Sequence, residues 1–366
     1  MGATRSQVAM NNHKAPLRAG EKTAEPLQDK VRRDLMKRLL GITAVSLMTP
    51  EFLAQAAFAG TAANAVMGPM VPDVKPTQLA EGVYTIHAHD KFPTPANQGF
   101  FTSIMFVVTD KGVVAIDPSA SVQIGQMAIR MIKTVTDKPV IAVINTHYHG
   151  DHWMGNQAFA EAYPGIPIYS MKETAEAINA VLGEEWISMA LKMTNNATAG
   201  TRIVAPNHYV KGGDVLEFGG TKINIHHFGQ CHTPYDLVLE IVGTPIVHVG
   251  DVIMDHRMAG MNDDEGSFIH GIAALKKMKA TLPGKTFYPC HGDPAPHILD
   301  EEIGLFEAIY NTANAAQAAD KSMSEAIALV KALPFMQEYA QNTPDYEDSV
   351  GKWTSIAYLE AQQANF

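Results

Sequence analysis

The sequence predicts a layered α/β (α+β) fold in which strands and helices interleave along one large body, followed by a helical C-terminal extension. Three observations lead there. Short apolar or alternating runs recur from about residue 79 to residue 290, bounded by Gly, Pro and Asn turns. Segments with helical spacing fall between them, which is the pattern of layered sheets flanked by helices. The chain has 366 residues, 46% of them hydrophobic, so it can bury a core of that size.

The elements follow in order. "GVYTIHA" and "TSIMFVVTD" read as strands, separated by the loop "HDKFPTPANQG". "KGVVAIDPSA" is a third strand, closed by a turn at Asp117 and Pro118. Residues 122–136 have helical spacing, and "PVIAVINT" reads as a buried strand. "GIPIYS" and "KETAEAINAVLG" continue as strand and helix. "VLEFGGTKINIHHF", "LVLEIVGTPIVHVGD" and "KTFYPC" are further strand segments with Gly-containing turns, and "FIHGIAALKKMKATL" is a helix between the last two. Beyond about residue 300 the spacing is helical to the end, an appendage of one or two helices.

Ahead of this body, Arg32 and Arg33 open "RRDLMKRLLGITAVSLM", followed by the small-residue stretch "AQAAFAG". The apolar run Leu39–Met48 is too short to span a bilayer, which takes about 20 residues. A basic start, apolar middle and Ala57-Phe58-Ala59 end read as an export signal of the twin-arginine type over residues 1–59. The alternative is a basic amphipathic helix on the mature protein. The export reading places the protein in the periplasm or outside the cell, with no stable membrane insertion after signal removal. Residues 1–59 hold nine basic and five acidic side chains; the remainder carries 19 basic and 33 acidic, a net charge of −14. Such a body lacks the basic field that nucleic acid or an anionic membrane requires, so the expected partner is a small-molecule substrate. Two cysteines, Cys231 and Cys290, exclude a disulfide framework.

The densest chemistry lies in "NTHYHGDHWMGN", Asn145–Asn156. His147 and His149 are two residues apart at the end of a strand, where alternate side chains point the same way and both rings can face one ion. Gly150 allows a tight turn, and Asp151 and His152 follow where a helix begins, able to face a second ion. Imidazole and carboxylate together suit zinc, with iron or manganese also compatible. Later strand ends offer more ligands: His232 in "GQCHTPYD", Asp251 in "VHVGDVIM" and His291 in "FYPCHGDP".

In order, His147-x-His149-x-Asp151-His152, His232, Asp251 and His291 resemble the metallo-β-lactamase superfamily over roughly residues 77–300. The resemblance implies a four-layer αββα sandwich with two zinc ions at one edge. His147, His149 and His232 would hold the first metal; Asp151, His152 and His291 the second; Asp251 would bridge them. It also implies hydrolysis of an ester, thioester or lactone by zinc-bound hydroxide, with Asp151 orienting the nucleophile. An Asp at position 251 looks more like glyoxalase II and related hydrolases than the β-lactamase branches. The tail "GKWTSIAYLEAQ" resembles exported zinc metallohydrolases linked to quinoprotein and sulfur metabolism. The alternatives on this fold are a β-lactamase and a mononuclear iron persulfide dioxygenase. Trp153, Tyr235 and Phe92 are candidates for the substrate pocket, or for packing. The two cysteines, each directly before a ligand, read as thiols close to the metals, as a disulfide, or as small buried packing residues.

Overall fold

Two β-sheets pack face to face with helices on both outer sides. The computed structural model describes residues 66–258, 265–343 and 346–365. The export-signal reading of residues 1–59 therefore lies outside the described residues. The first sheet has seven strands in sequential order: β1 (Thr77–Ala80), β2 (Val83–Ile86), β3 (Ile104–Val108), β4 (Val113–Ile116), β5 (Val140–Ile144), β6 (Ile168–Ser170) and β7 (His208–Tyr209). It is antiparallel up to β4 and parallel from β4 onward. The change of sense occurs where the first described helix, α1 (Val122–Lys133), crosses between β4 and β5. Ser121 caps α1 by accepting from the Ile124 N–H, so the helix starts where "PSAS" ends.

The second sheet is β12-β11-β10-β9-β8, with β8 (Val215–Phe218), β9 (Thr221–His226), β10 (Val238–Ile241), β11 (Ile246–Gly250) and β12 (Thr286–Pro289). The long segments "VLEFGGTKINIHHF" and "LVLEIVGTPIVHVGD" are each a hairpin, folded at Gly219-Gly220 and at Gly243. Only β11 and β12 run parallel, joined by helix α6 (Phe268–Thr281).

Strand alternation builds three cores. On β4, Val114 and Ile116 face the second sheet and pack with Ile223, Leu239 and Ile246, while Val113 and Ala115 face the helices. On β11, Val247 and Val249 face the outer helices, which turns His248 inward toward the first sheet. Against the outer face of the first sheet lie α1, α2 (Gly150–Trp153), α3 (Asn156–Ala162), α4 (Lys172–Asn179) and α5 (Val181–Met193). The other outer face is covered by α6 and by the C-terminal segment.

Among the described residues that segment holds four helices rather than one or two: α7 (Ile298–Ala318), α8 (Met323–Lys331), α9 (Met336–Asn342) and α10 (Tyr346–Ala364). Pro334 and the Ser322 capping box break what reads as one Ala-rich stretch. Trp353, Val350 and Phe306 join the core that contains Val247 and Phe287 of the second sheet. The tail is thus part of the outer helical layer, and Val66–Phe366 is one compact unit. No described helix is long and apolar enough to cross a membrane.

Candidate metal centre

Parallel pairing aligns the strand ends that carry the chemistry. Ile116 of β4 stands opposite Ile144 of β5, so Asp117 and the "NTHYHGDH" segment leave the sheet together. Gly250 of β11 stands opposite Pro289 of β12, so Asp251 and His291 emerge as neighbours. Gly250 adopts φ +56°, and a Cβ there would meet the Thr146 Oγ1 at 2.7 Å, so this close approach of the two sheets requires glycine. Gly150 differs from its sequence reading. It opens α2 without a positive φ, and it is needed because a Cβ would lie 2.7 Å from the Trp186 Cβ.

The seven residues expected as ligands come together as two groups of four that share Asp251. One is His147, His149, His232 and Asp251; the other is Asp151, His152, Asp251 and His291. Within each group the ligand-capable atoms lie within 4.8 Å of one another, and every side chain is buried. The Asp251 Oδ2 is 3.9 Å from the His147 Nε2 and 3.7 Å from the His232 Nε2 on one side. On the other it is 3.3 Å from both the His152 Nε2 and the His291 Nε2. The His149 Nδ1 faces the His232 Nε2 at 2.9 Å.

Two features of this cluster fit metal ions. The first is a set of orphans: the buried His147 Nε2, His152 Nε2 and Asp251 Oδ1 have no hydrogen-bond partner. The second is charge. Burial works to raise the Asp151 and Asp251 carboxyls, yet His152 and His291 hold both well below the usual range. Burial also opposes charge on His152, but Asp251, Asp151 and Asp117 drive it well above an ordinary histidine. Three carboxylates around one imidazole call for positive charge, which a divalent cation supplies without a proton. On the other side, burial and then His149 bring His232 down to about 3, so it presents a neutral ring of the kind that can ligate a metal.

The candidate ligands are held from behind. Asp117 adopts φ +48°, a left-handed position that aspartate tolerates at a turn. Its carboxylate accepts from the Thr146 N–H at 2.8 Å and the Thr146 hydroxyl at 2.8 Å. The Asp117 Oδ2 is also 3.2 Å from the His152 Nδ1 and 3.0 Å from the His248 Nε2. The His248 contact is a hydrogen bond, whereas the His152 Nδ1 meets the carboxylate at ion-pair distance without one, so Asp117 acts on that ring through its charge. The Thr102 hydroxyl donates to the Asp151 Oδ2 at 2.6 Å, and the His291 Nδ1 faces the Phe101 carbonyl at 3.1 Å. Asp236 accepts from the backbone N–H groups of His232 and Thr233, and burial pushes its carboxyl up to about 6.

The remaining candidates separate. Trp153 is fully buried, and its indole N–H donates to the Tyr148 carbonyl at 2.9 Å. It packs under α2 in the core beneath the first sheet, because the turn of that helix points it inward. Tyr235 is half-buried, edge-on to Tyr148 at 6.3 Å between ring centroids. Phe92 is half-buried on the loop after β2, its carbonyl accepting from the Asn97 side chain. Sequence reasoning missed Trp186, whose ring lies 4.8 Å from that of His149, and Glu265, whose Oε2 is 3.8 Å from the His149 Nε2. Neither belongs to a motif, and both reach the cluster only through tertiary packing. With Phe101, Met189 and Met193, Trp186 lines an apolar cleft that reaches Asp151.

Both cysteines are buried free thiols, which excludes the disulfide. Cys231 joins the core under α6. Cys290 lies 3.4 Å from both the Asp117 Oδ2 and the His248 Nε2, directly behind the cluster. His226 and His227 point to Glu240 and to the Asp236 carbonyl, away from the cluster.

Comparison with known proteins agrees with this geometry. Residues 97–291, more than half of the chain, match the family model described as metallo-beta-lactamase superfamily. A hydroxyacylglutathione hydrolase from Gloeobacter violaceus is 31% identical over 71 residues, which is 19% of this chain and 26% of that protein. The chain thus matches about a quarter of that relative's length. Among solved structures, the sec-alkylsulfatase Pisa1 from Pseudomonas sp. aligns with a TM-score of 0.62 at 15% identity, over 78% of this chain and half of that one. TMB-1 aligns with a TM-score of 0.50 at 18% identity, over 65% of this chain and 98% of its own. At these identities the likeness is one of fold, and the fold is the αββα sandwich.

Proposed function

Because this chain belongs to the metallo-beta-lactamase superfamily, we propose that it is a dinuclear zinc hydrolase that cleaves an ester, thioester or lactone bond of a small molecule. The observation that carries this reading is the pair of four-residue groups sharing Asp251. His147, His149 and His232 would hold one zinc, Asp151, His152 and His291 the other, and Asp251 would lie between them. Bound zinc supplies a Lewis acid and makes hydroxide accessible near neutral pH.

The protein's own residues do the rest. Asp117, held by Thr146, sets a negative charge directly behind His152. Asp151, pinned by the Thr102 hydroxyl, stays anionic and is the residue placed to orient an attacking water. The apolar side chains of Trp186 and Phe101 border Asp151 in a cleft with room for little more than a water molecule. An aspartate between the groups, rather than cysteine or serine, favours the ester, thioester or lactone reading over lactam hydrolysis. So does the local likeness to a hydroxyacylglutathione hydrolase. We place the mature protein in the periplasm or outside the cell, on the twin-arginine-like leader.

The test is hydrolysis of a panel of thioesters, lactones and aryl esters, with nitrocefin as the lactam. Turnover of a non-lactam substrate is expected, abolished by a chelator and by His149→Ala and restored to the native protein by zinc. Full activity in demonstrably metal-free protein would overturn the mechanism.

A further inference from the structure

Arg257 follows Asp251 by six residues, on the loop leaving β11. Its guanidinium carbon lies 5.7 Å from the centre of the Phe101 ring. Phe101 in turn stacks on His291, with 5.2 Å between centroids and 21° between planes. The His291 Nε2 is 3.1 Å from the Asp151 Oδ2. Guanidinium, aromatic ring and imidazole therefore form one contiguous set of contacts that ends in the metal cluster.

The unusual feature is what the guanidinium lacks. Its Nη1 is sealed from solvent and has no hydrogen-bond partner. Asp251 and Asp151 act on Arg257 through their field, but among the described residues no carboxylate forms an ion pair with it. Arg257 is half-buried as a whole, but a guanidinium N–H that is sealed and unpaired is costly, and such groups persist where a partner completes them. A guanidinium fork matches an oxyanion with two parallel N–H···O bonds. Phe101 also borders the apolar cleft that reaches Asp151. The cation and the cleft are therefore adjacent, sharing one aromatic wall.

We propose that Arg257 is the anion-recognition residue of this site, so the substrate is an organic anion whose carboxylate or sulfate group pairs with the guanidinium. This rests on the hydrolytic reading above for the reaction, though not for the binding. The site then selects against neutral and cationic esters of the same size.

The experiment has two arms. In the first, zinc-loaded native protein, Arg257→Gln and Arg257→Lys are assayed on 4-nitrophenyl hemisuccinate, which is anionic, and 4-nitrophenyl butyrate, which is neutral. The quantity read is the ratio of the two kcat/KM values. It should favour the anion in the native protein, fall about tenfold to a hundredfold in Arg257→Gln, and recover in part in Arg257→Lys, which keeps the charge but not the fork. An unchanged ratio in Arg257→Gln overturns the proposal. In the second arm, succinate and sulfate are titrated calorimetrically into the same three proteins, which separates a carboxylate from a sulfate site. Saturable binding to native protein that weakens at least about tenfold in Arg257→Gln supports the proposal without any turnover. If neither ester is hydrolysed, the hydrolytic reading is judged on the thioester and lactone panel, and the second arm alone decides the anion site. Absence of binding to the native protein, or equal binding to Arg257→Gln, overturns the anion site.

Discussion

Glu302 connects the C-terminal helices to the site and makes stability depend on pH in a calculable way. It lies on α7, is 4% exposed, and reaches the backbone of Met254, three residues beyond Asp251. Burial pushes its carboxyl up to about 8, and the Met254 backbone contact offsets only part of that rise. With an ordinary value of about 4.5 in the unfolded chain, the folded state binds more protons than the unfolded one between the two values. This stability contribution is present below pH 4.5 and is lost as pH rises through 8. At about 1.36 kcal/mol per pH unit, the loss accumulates to about 3.5 kcal/mol between pH 5 and pH 8. Glu302→Gln keeps the shape and the acceptor but cannot ionise. Urea unfolding of metal-free native and variant protein at pH 5, 6, 7 and 8 isolates the residue, since every other group is shared. The variant's stability relative to native should rise by about 3.5 kcal/mol from the lowest to the highest pH. Parallel stability curves would refute the assignment of a buried, protonated Glu302.

Other perturbations address the cluster itself. Asp117→Asn removes the carboxylate behind His152 and should weaken zinc at the second group about tenfold to a hundredfold, read by competition with a chromophoric chelator. Trp153→Ala should act on folding rather than on substrate affinity, lowering stability by about 3–5 kcal/mol in denaturant unfolding. A change confined to KM would restore Trp153 to the pocket. Burial pushes both thiols well up, so neither Cys231 nor Cys290 should react with a thiol-specific disulfide reagent until the protein is denatured.

The clustering of the candidate ligands was legible because their signal is local. His147 to His152 fall within one strand end and one helix start, and the later ligands each follow an apolar strand. Once parallel pairing aligns β4 with β5 and β11 with β12, those ends must converge. What was not legible depends on packing across the chain. Trp153 reads the same whether it faces a pocket or the core; only the direction of α2 decides. Trp186 and Arg257 carry no motif, and they matter because α5 and the loop after β11 bring them against His149 and Phe101. His248 looks like an ordinary strand histidine until alternation on β11 turns it toward Asp117. The tail reads as one or two helices because its Ala-rich composition hides the breaks at Ser322 and Pro334.

The central claim is a two-zinc centre built on the shared Asp251. Elemental analysis of protein purified through its native export route, without added metal, tests it most directly. The account predicts about two zinc ions per chain, with the shared carboxylate between them. About one iron per chain would contradict it and bring a mononuclear persulfide dioxygenase to the front.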